Sequence, residues 1–213
     1  MPEAATHEAH FESLERQKMA ARLGTWVFLA SELLLFAGLL ALYASGRASH
    51  PEAFRYGVAH AMVWAGTVNT FVLLTSSFCI ARAVHALRAD RRRLAGALTG
   101  LTLVLAVAFL ALKGYEYHHH LAHGQVPGGR SAYFVEHAEL TGLPAFFTLY
   151  WITTGTHAVH VTVGAAVLAF FGLSIVRGRL RAPRAHRLEM AALYWHLVDA
   201  IWIFLWPMYY LMK

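Results

Sequence analysis

Two carboxylates and three imidazoles stand inside apolar runs of this chain, where they need a reason to be. Glu32 lies ten residues beyond Arg22 in a run with no other charge, and Asp199 is nine residues beyond Met190 in another. An ionisable group in hydrocarbon costs about 2.5–3.5 kcal/mol on insertion scales, so it faces protein or a watered cavity. Helical spacing gives both acids company. Thr153, His157, His160 and Gly164 fall on one helical face, as do Glu189, His196, Asp199 and Ile203. His196 and Asp199 are three apart, within hydrogen-bond reach along a helix. Asn69, with Thr70, Thr75, Ser76 and Ser77, supplies an amide and hydroxyls that can bond between helices. Lys113 and Glu116, also three apart, close a further run near the expected outer interface.

Three chemistries compete for this set. The groups can satisfy one another inside a bundle, they can handle protons, or they can hold a metal. Ligand counting disfavours the third. Two histidines at i, i+3 on one helix cannot reach both faces of a haem. A di-iron centre built on Glu32, His157, His160 and His196 would need more carboxylates and Glu-x-x-His pairs, which these four do not form. A second histidine group, His118, His119, His120, His123 and His137, falls in the stretch 113–140. It has zinc- or copper-binding chemistry, but it stands among glycines with no cysteine, and a solvated loop or partner contact is the expectation. His7 and His10 read as surface residues. Cys79, the single cysteine, sits in an apolar run and can form neither an internal disulfide nor a CxxC pair.

The elements that position these groups follow from composition. Of 213 residues, 58% are hydrophobic and 14% charged, against about 45–50% and 25% in soluble domains. The net charge of +6 punctuates long apolar runs instead of forming a basic stripe, so no nucleic-acid partner is expected. A helix crosses the hydrocarbon core with about 20 apolar residues, and five segments qualify: 23–43, 57–81, 94–112, 140–176 and 190–212. None alternates like a barrel strand, so the fold class is all-α, a polytopic helical bundle of five transmembrane helices. Residues 1–22 are mixed in charge, without the apolar core of a signal peptide. They read as a cytoplasmic N-terminal segment ahead of a transmembrane domain over 23–213. Thirteen of the 18 Lys and Arg residues fall on the side of the N-terminus and the second and fourth connections, which puts the N-terminus in the cytoplasm and the C-terminus outside.

The fourth segment is too long for a simple crossing and should tilt or project, with Pro144 near its start and Thr141 as cap. A hairpin folded at Gly155 is the competing reading. Pro207 should kink the last helix. Small residues Ala30, Ala37, Gly38 and Ala41, and Gly164, Ala165 and Ala169, would permit close helix contact.

Five motifs in order carry a more specific resemblance. Residues 23–38 read LGTWVFLASELLLFAG, 69–78 read NTFVLLTSSF, 113–117 read KGYEY, 154–161 read TGTHAVHV, and 192–204 read ALYWHLVDAIWIF. Together they resemble subunit III of the haem–copper oxidases, in its short five-span bacterial form. The resemblance implies that the family's intramembrane glutamate falls on Glu32, its paired histidines on His157 and His160, and its Tyr-Trp-His…Asp segment on Tyr194, Trp195, His196 and Asp199. It implies a noncatalytic subunit with no cofactor of its own, haem and copper being held by a partner. That subunit would flank catalytic oxidase subunit I in the bacterial cytoplasmic membrane, with subunit II as a further partner, hold membrane lipids, and support proton uptake and sustained turnover. Longer members have seven spans with a two-part lipid cleft, and on this resemblance the chain is expected to correspond to the last five. The ending WPMYYL is also similar to subunit-III-like partners of nitric oxide reductases. A stand-alone proton or small-solute transporter is the rival from another class, although no internal repeat supports it. Glu32 is expected to be the central buried carboxyl, bonded to His157 or His196.

Overall fold

The structure, a computed structural model, describes residues 14–213. His7 and His10 lie outside the described residues. The helices are α1 (Leu14–Ser49), α2 (Pro51–Ala59), α3 (Val63–Arg88), α4 (Arg92–Ala122), α5 (Ala132–Glu136), α6 (Leu143–Val176) and α7 (His186–Trp206). A 3-10 turn over Ala182–Arg184 joins α6 to α7, and α7 runs into a π-helical turn over Pro207–Leu211. There is no strand among the described residues. Five helices are long and apolar enough to cross a membrane: α1, α3, α4, α6, and α7 with its π turn.

Tight C-caps end three of these helices. Asp90, Gly124 and Gly178 adopt left-handed φ values of 54°, 71° and 74°. Each is flanked by the paired bonds of a Schellman motif: Arg91 N to Ala86 O at 2.8 Å, Gln125 N to His120 O at 3.0 Å, and Arg179 N to Ser174 O at 2.9 Å. Two caps take glycine, which meets that geometry without strain. The third takes aspartate, one of the few other residues that visits it.

The boundaries differ from the sequence reading in instructive ways. Residues 57–59 belong to the separate nine-residue helix α2, and the second span starts at Val63. The third span continues past Leu112 to Ala122, carrying Lys113, Glu116 and His118–His120 on helix instead of loop. Their polarity disqualified them as a membrane run, yet the buried ones are paired within the protein. The fourth span is one unbroken helix of 34 residues, about 51 Å at ~1.5 Å per residue, so the hairpin at Gly155 is overturned. Its N-cap is Gly142, not Thr141, and Pro144 occupies the first turn. Pro207 produces a π turn, with Met212 N bonded to Pro207 O at 2.9 Å, in place of a simple kink.

Packing arranges α3, α4, α6 and α7 in a ring in which α3 touches α4 and α7, and α6 touches the same two. Helix α1 lies outside the ring against α6 and α7. The core therefore sits inside the ring, where Trp195, Trp202, Phe109 and Leu168 are wholly buried, and α1 adds one outer seam.

Candidate functional site

The first polar group lies in that outer seam. Glu32 on α1 and His160 on α6 share a hydrogen bond of 2.7 Å between Oε2 and Nε2, each side chain retaining 17% exposure. His160 Nδ1 lies 2.7 Å from the Thr156 carbonyl. Phe36 meets the imidazole edge-on at 5.2 Å, and Tyr194 of α7 donates to the His160 carbonyl at 3.2 Å. The expected partners of Glu32, His157 and His196, are corrected to His160. A three-residue step on α6 turns His157 into the ring and leaves His160 facing α1.

The second group closes the ring at the end where α4 finishes. Lys113 Nζ donates to Glu116 Oε2 at 3.0 Å, Tyr150 OH at 3.1 Å and Tyr210 OH at 3.0 Å. Both tyrosines donate to Glu116 Oε1 at 2.7 Å. All three ammonium protons are thereby used, and both carboxylate oxygens accept. Lys113 and Glu116 are 1% and 0% exposed, and the ammonium also sits 5.5 Å from the centroid of Trp202. A buried ion pair survives when its hydrogen-bonding capacity is filled in this manner. Tyr117 OH extends the network to Thr154 at 2.9 Å. The spacing of Lys113 and Glu116 was visible in the sequence. Tyr150 and Tyr210 were not foreseen, although Tyr150 precedes Thr153 and His157 on the same helical stripe.

The third group follows the contact of α3 with α7. Trp195 Nε1 donates to Ser76 Oγ and Trp202 Nε1 to Thr70 Oγ1, both at 3.0 Å. His196 Nδ1 lies 2.6 Å from Ser77 Oγ, so it pairs across helices and not with Asp199. The side chains of Asp199 and Asn69 are buried, and among the described residues neither makes a hydrogen bond. Glu189 pairs with Arg88 of α3 at the edge of the bundle, while Ile203 is exposed. Thr153 is buried and accepts from Tyr209 OH at 3.1 Å. Thr75 donates to the Phe71 carbonyl of its own helix.

His157 is wholly buried, and among the described residues neither ring nitrogen has a hydrogen-bond partner. Phe36, Phe109 and Trp202 surround it at centroid distances of 6.2, 5.7 and 5.1 Å. Aromatic carbon supplies no ligand for an ion at either nitrogen. Among the described residues, no group of three or more His, Cys, Asp and Glu is placed to hold a metal. The outer histidines are dispersed: His120 bonds Gln125, His119 stacks on His123 at 4.1 Å, and His137 accepts from Tyr56 OH at 2.8 Å. Beside them, burial pushes the Tyr133 hydroxyl up to about 12, keeping it a neutral phenol. Cys79 is buried and free.

Comparison with known proteins gives a consistent answer. The family model for cytochrome c oxidase subunit III matches residues 2–213. A cytochrome c oxidase subunit 3 of Corynebacterium diphtheriae is 32% identical over 195 residues, covering 90% of this chain and 87% of that protein. A quinol oxidase subunit 3 of Bacillus spizizenii is 29% identical, covering 99% and 97%. A probable cytochrome c oxidase subunit 3 of Mycobacterium leprae is 30% identical, covering 99% and 95%.

Proposed function

The chain belongs to the cytochrome c oxidase subunit III family, and from that premise we propose how it serves its haem–copper oxidase. It is a noncatalytic membrane subunit of an aerobic terminal oxidase that flanks catalytic subunit I, with subunit II in the same assembly. Haem and copper reside in those partners, and the complex sits in the bacterial cytoplasmic membrane with the N-terminus of this chain on the cytoplasmic side. The nitric oxide reductase and transporter readings are not favoured by a family match across the whole chain.

Within the subunit, the Glu32–His160 pair supports proton uptake and sustained turnover, and lipids cover the open flank of α1. The single observation carrying this assignment is the 2.7 Å bond in a seam that keeps 17% exposure on each partner. A group meant only to fasten helices is better placed in the dry interior, as Lys113 and Glu116 are. An acid–imidazole pair at a partly open seam remains reachable by protons and by a neighbouring subunit. The test is Glu32→Ala in the intact oxidase. The expected result is a folded, assembled complex whose active lifetime during turnover is shortened or whose proton uptake is slowed. Unchanged turnover and inactivation kinetics would remove Glu32 from the function.

A further inference from the structure

The end of α4, away from the arginine-rich connections, presents two histidines one helical turn apart. His119 lies in the last turn and His123 is the C-cap residue. Their rings stack with centroids 4.1 Å apart and planes 30° from parallel. We propose that His119 and His123 together bind a divalent transition-metal ion, Cu2+ or Zn2+, from the aqueous phase beside the membrane. The inference does not depend on the role assigned to Glu32.

Helical placement is what makes these two residues a pair. Read from the sequence they fall in a loop, where two imidazoles have no fixed separation. On a helix, positions i and i+4 share a face, with Cβ atoms about 5–6 Å apart. The same spacing lets a single helix supply two zinc-binding imidazoles. Gly124, at a φ of 71°, turns the chain directly after His123, so the pair stands at the helix end. The carbonyl end of a helix favours positive charge, which adds to the attraction for a cation.

The ring nitrogens are available. His123 Nδ1 donates to the His119 carbonyl at 2.8 Å, which fixes the tautomer and leaves the lone pair on Nε2. A backbone carbonyl behind one nitrogen is the usual support of a metal-bound imidazole. His119 Nδ1 is buried, and among the described residues neither nitrogen of that ring bonds a protein group. Neighbouring imidazoles are differently disposed. His137 uses both nitrogens, on the Tyr56 hydroxyl and the Tyr133 carbonyl, and His120 Nδ1 bonds Gln125.

The ligand set selects the ion. Imidazoles suit copper, zinc and nickel, whereas Ca2+ and Mg2+ require oxygen ligands. No third His, Cys, Asp or Glu joins the pair among the described residues, so water fills the remaining positions and the ion is exchangeable. Cu2+ should bind more tightly than Zn2+ to two such nitrogens.

The test is equilibrium dialysis of the assembled, chelator-washed oxidase against Zn2+, with bound zinc counted by mass spectrometry. Wild type should hold one more zinc ion per complex than His119→Gln/His123→Gln. Each single variant should weaken that ion by about tenfold or more, the least that loss of even an outer-shell contact costs. Cu2+ should displace the zinc, and Ca2+ should not. His123→Gln/Leu121→His keeps the number of histidines but sets the second two positions from His119, off its face. It should not restore binding. Zinc retained undiminished in the double variant, or lost equally in His118→Gln at an exposed neighbouring position, would overturn the proposal. So would full binding by His123→Gln/Leu121→His, which would mean that scattered surface histidines suffice.

Discussion

Glu32 and His160 share one proton across the seam between α1 and α6. His160 Nδ1 faces the Thr156 carbonyl at 2.7 Å, and a carbonyl can only accept, so Nδ1 carries hydrogen. The 2.7 Å contact between Nε2 and Glu32 Oε2 therefore joins either a neutral imidazole to a carboxylic acid or an imidazolium to a carboxylate. Both forms carry the same total charge, and moving the proton between them relocates charge without importing any.

That relationship distinguishes a proton-handling pair from a helix fastener. Glu32→Gln retains a donor that can reach His160 Nε2 but has no proton to exchange, whereas Glu32→Ala loses both. If the pair handles protons, both variants should shorten the active lifetime of the oxidase to similar extents. If the contact merely fastens α1, Glu32→Gln should behave as wild type while Glu32→Ala falls. His160→Leu, which leaves the carboxyl facing apolar neighbours, should cost about 1–3 kcal/mol of stability, read as a lowered unfolding midpoint in detergent. Turnover-inactivation kinetics of the two Glu32 variants decide between the readings.

The Lys113–Glu116 network should be far less tolerant. Each charge has its hydrogen-bonding capacity filled by the other and by Tyr150 and Tyr210. Lys113→Met alone strands a buried carboxylate and should destabilise the subunit by about 3–5 kcal/mol. Lys113→Met combined with Glu116→Leu removes both charges and should recover most of that loss, because a well-packed apolar pair is often as stable as a buried ion pair. Thermal unfolding of the single and double variants checks the non-additivity. A double variant no better than the single would mean that the tyrosines depend on the charges for their placement.

How far the sequence could be read follows from the reach of each signal. Continuous apolar runs located five spans because twenty residues of hydrocarbon length is a constraint internal to each segment. The i, i+3 and i, i+4 rules located the polar stripes, since they too are internal to one helix. What they could not supply was the rotation of one helix against another. His157 and His160 share a stripe, yet His157 meets the rings of Phe109 and Trp202 while His160 meets Glu32. Spacing within α7 suggested His196 with Asp199, and the interhelical contact gave His196 to Ser77. The end of α4 was missed for a related reason. Polarity marked Lys113–Ala122 as loop because its buried partners, Tyr150 and Tyr210, come from elsewhere in the chain.

Asp199 is buried at 3% exposure, and among the described residues neither of its oxygens makes a hydrogen bond; it lies between the two tryptophans that anchor α7 to α3. An isolated buried polar group costs about 1–3 kcal/mol. Asp199→Leu, similar in size and apolar, should therefore raise the unfolding midpoint of the complex. A lowered midpoint would show that the carboxyl contributes to folding. Oxidase turnover measured on the same sample tells whether the acid is retained for activity: a stabilised complex with reduced turnover assigns Asp199 a functional role.

Glycine spacing makes a last prediction, with its control built into the chain. A Cβ on Gly164 would lie 2.9 Å from Trp195 Cε3 and 3.1 Å from Tyr194 Cε1, so α6 and α7 approach closely only because that position lacks a side chain. The same tryptophan bonds Ser76 on α3, so displacing its ring disturbs two helix contacts at once. Gly164→Leu should cost about 1–3 kcal/mol or more through overpacking. Gly38 in α1, grouped with Gly164 by the sequence as a close-contact residue, has nothing within 4 Å of an added Cβ. Gly38→Ala should leave subunit stability within about 0.5 kcal/mol of wild type, as at other exposed sites. Should Gly38→Ala instead release the subunit from the purified oxidase while the isolated chain melts normally, α1 would be packed against a neighbouring subunit at that glycine.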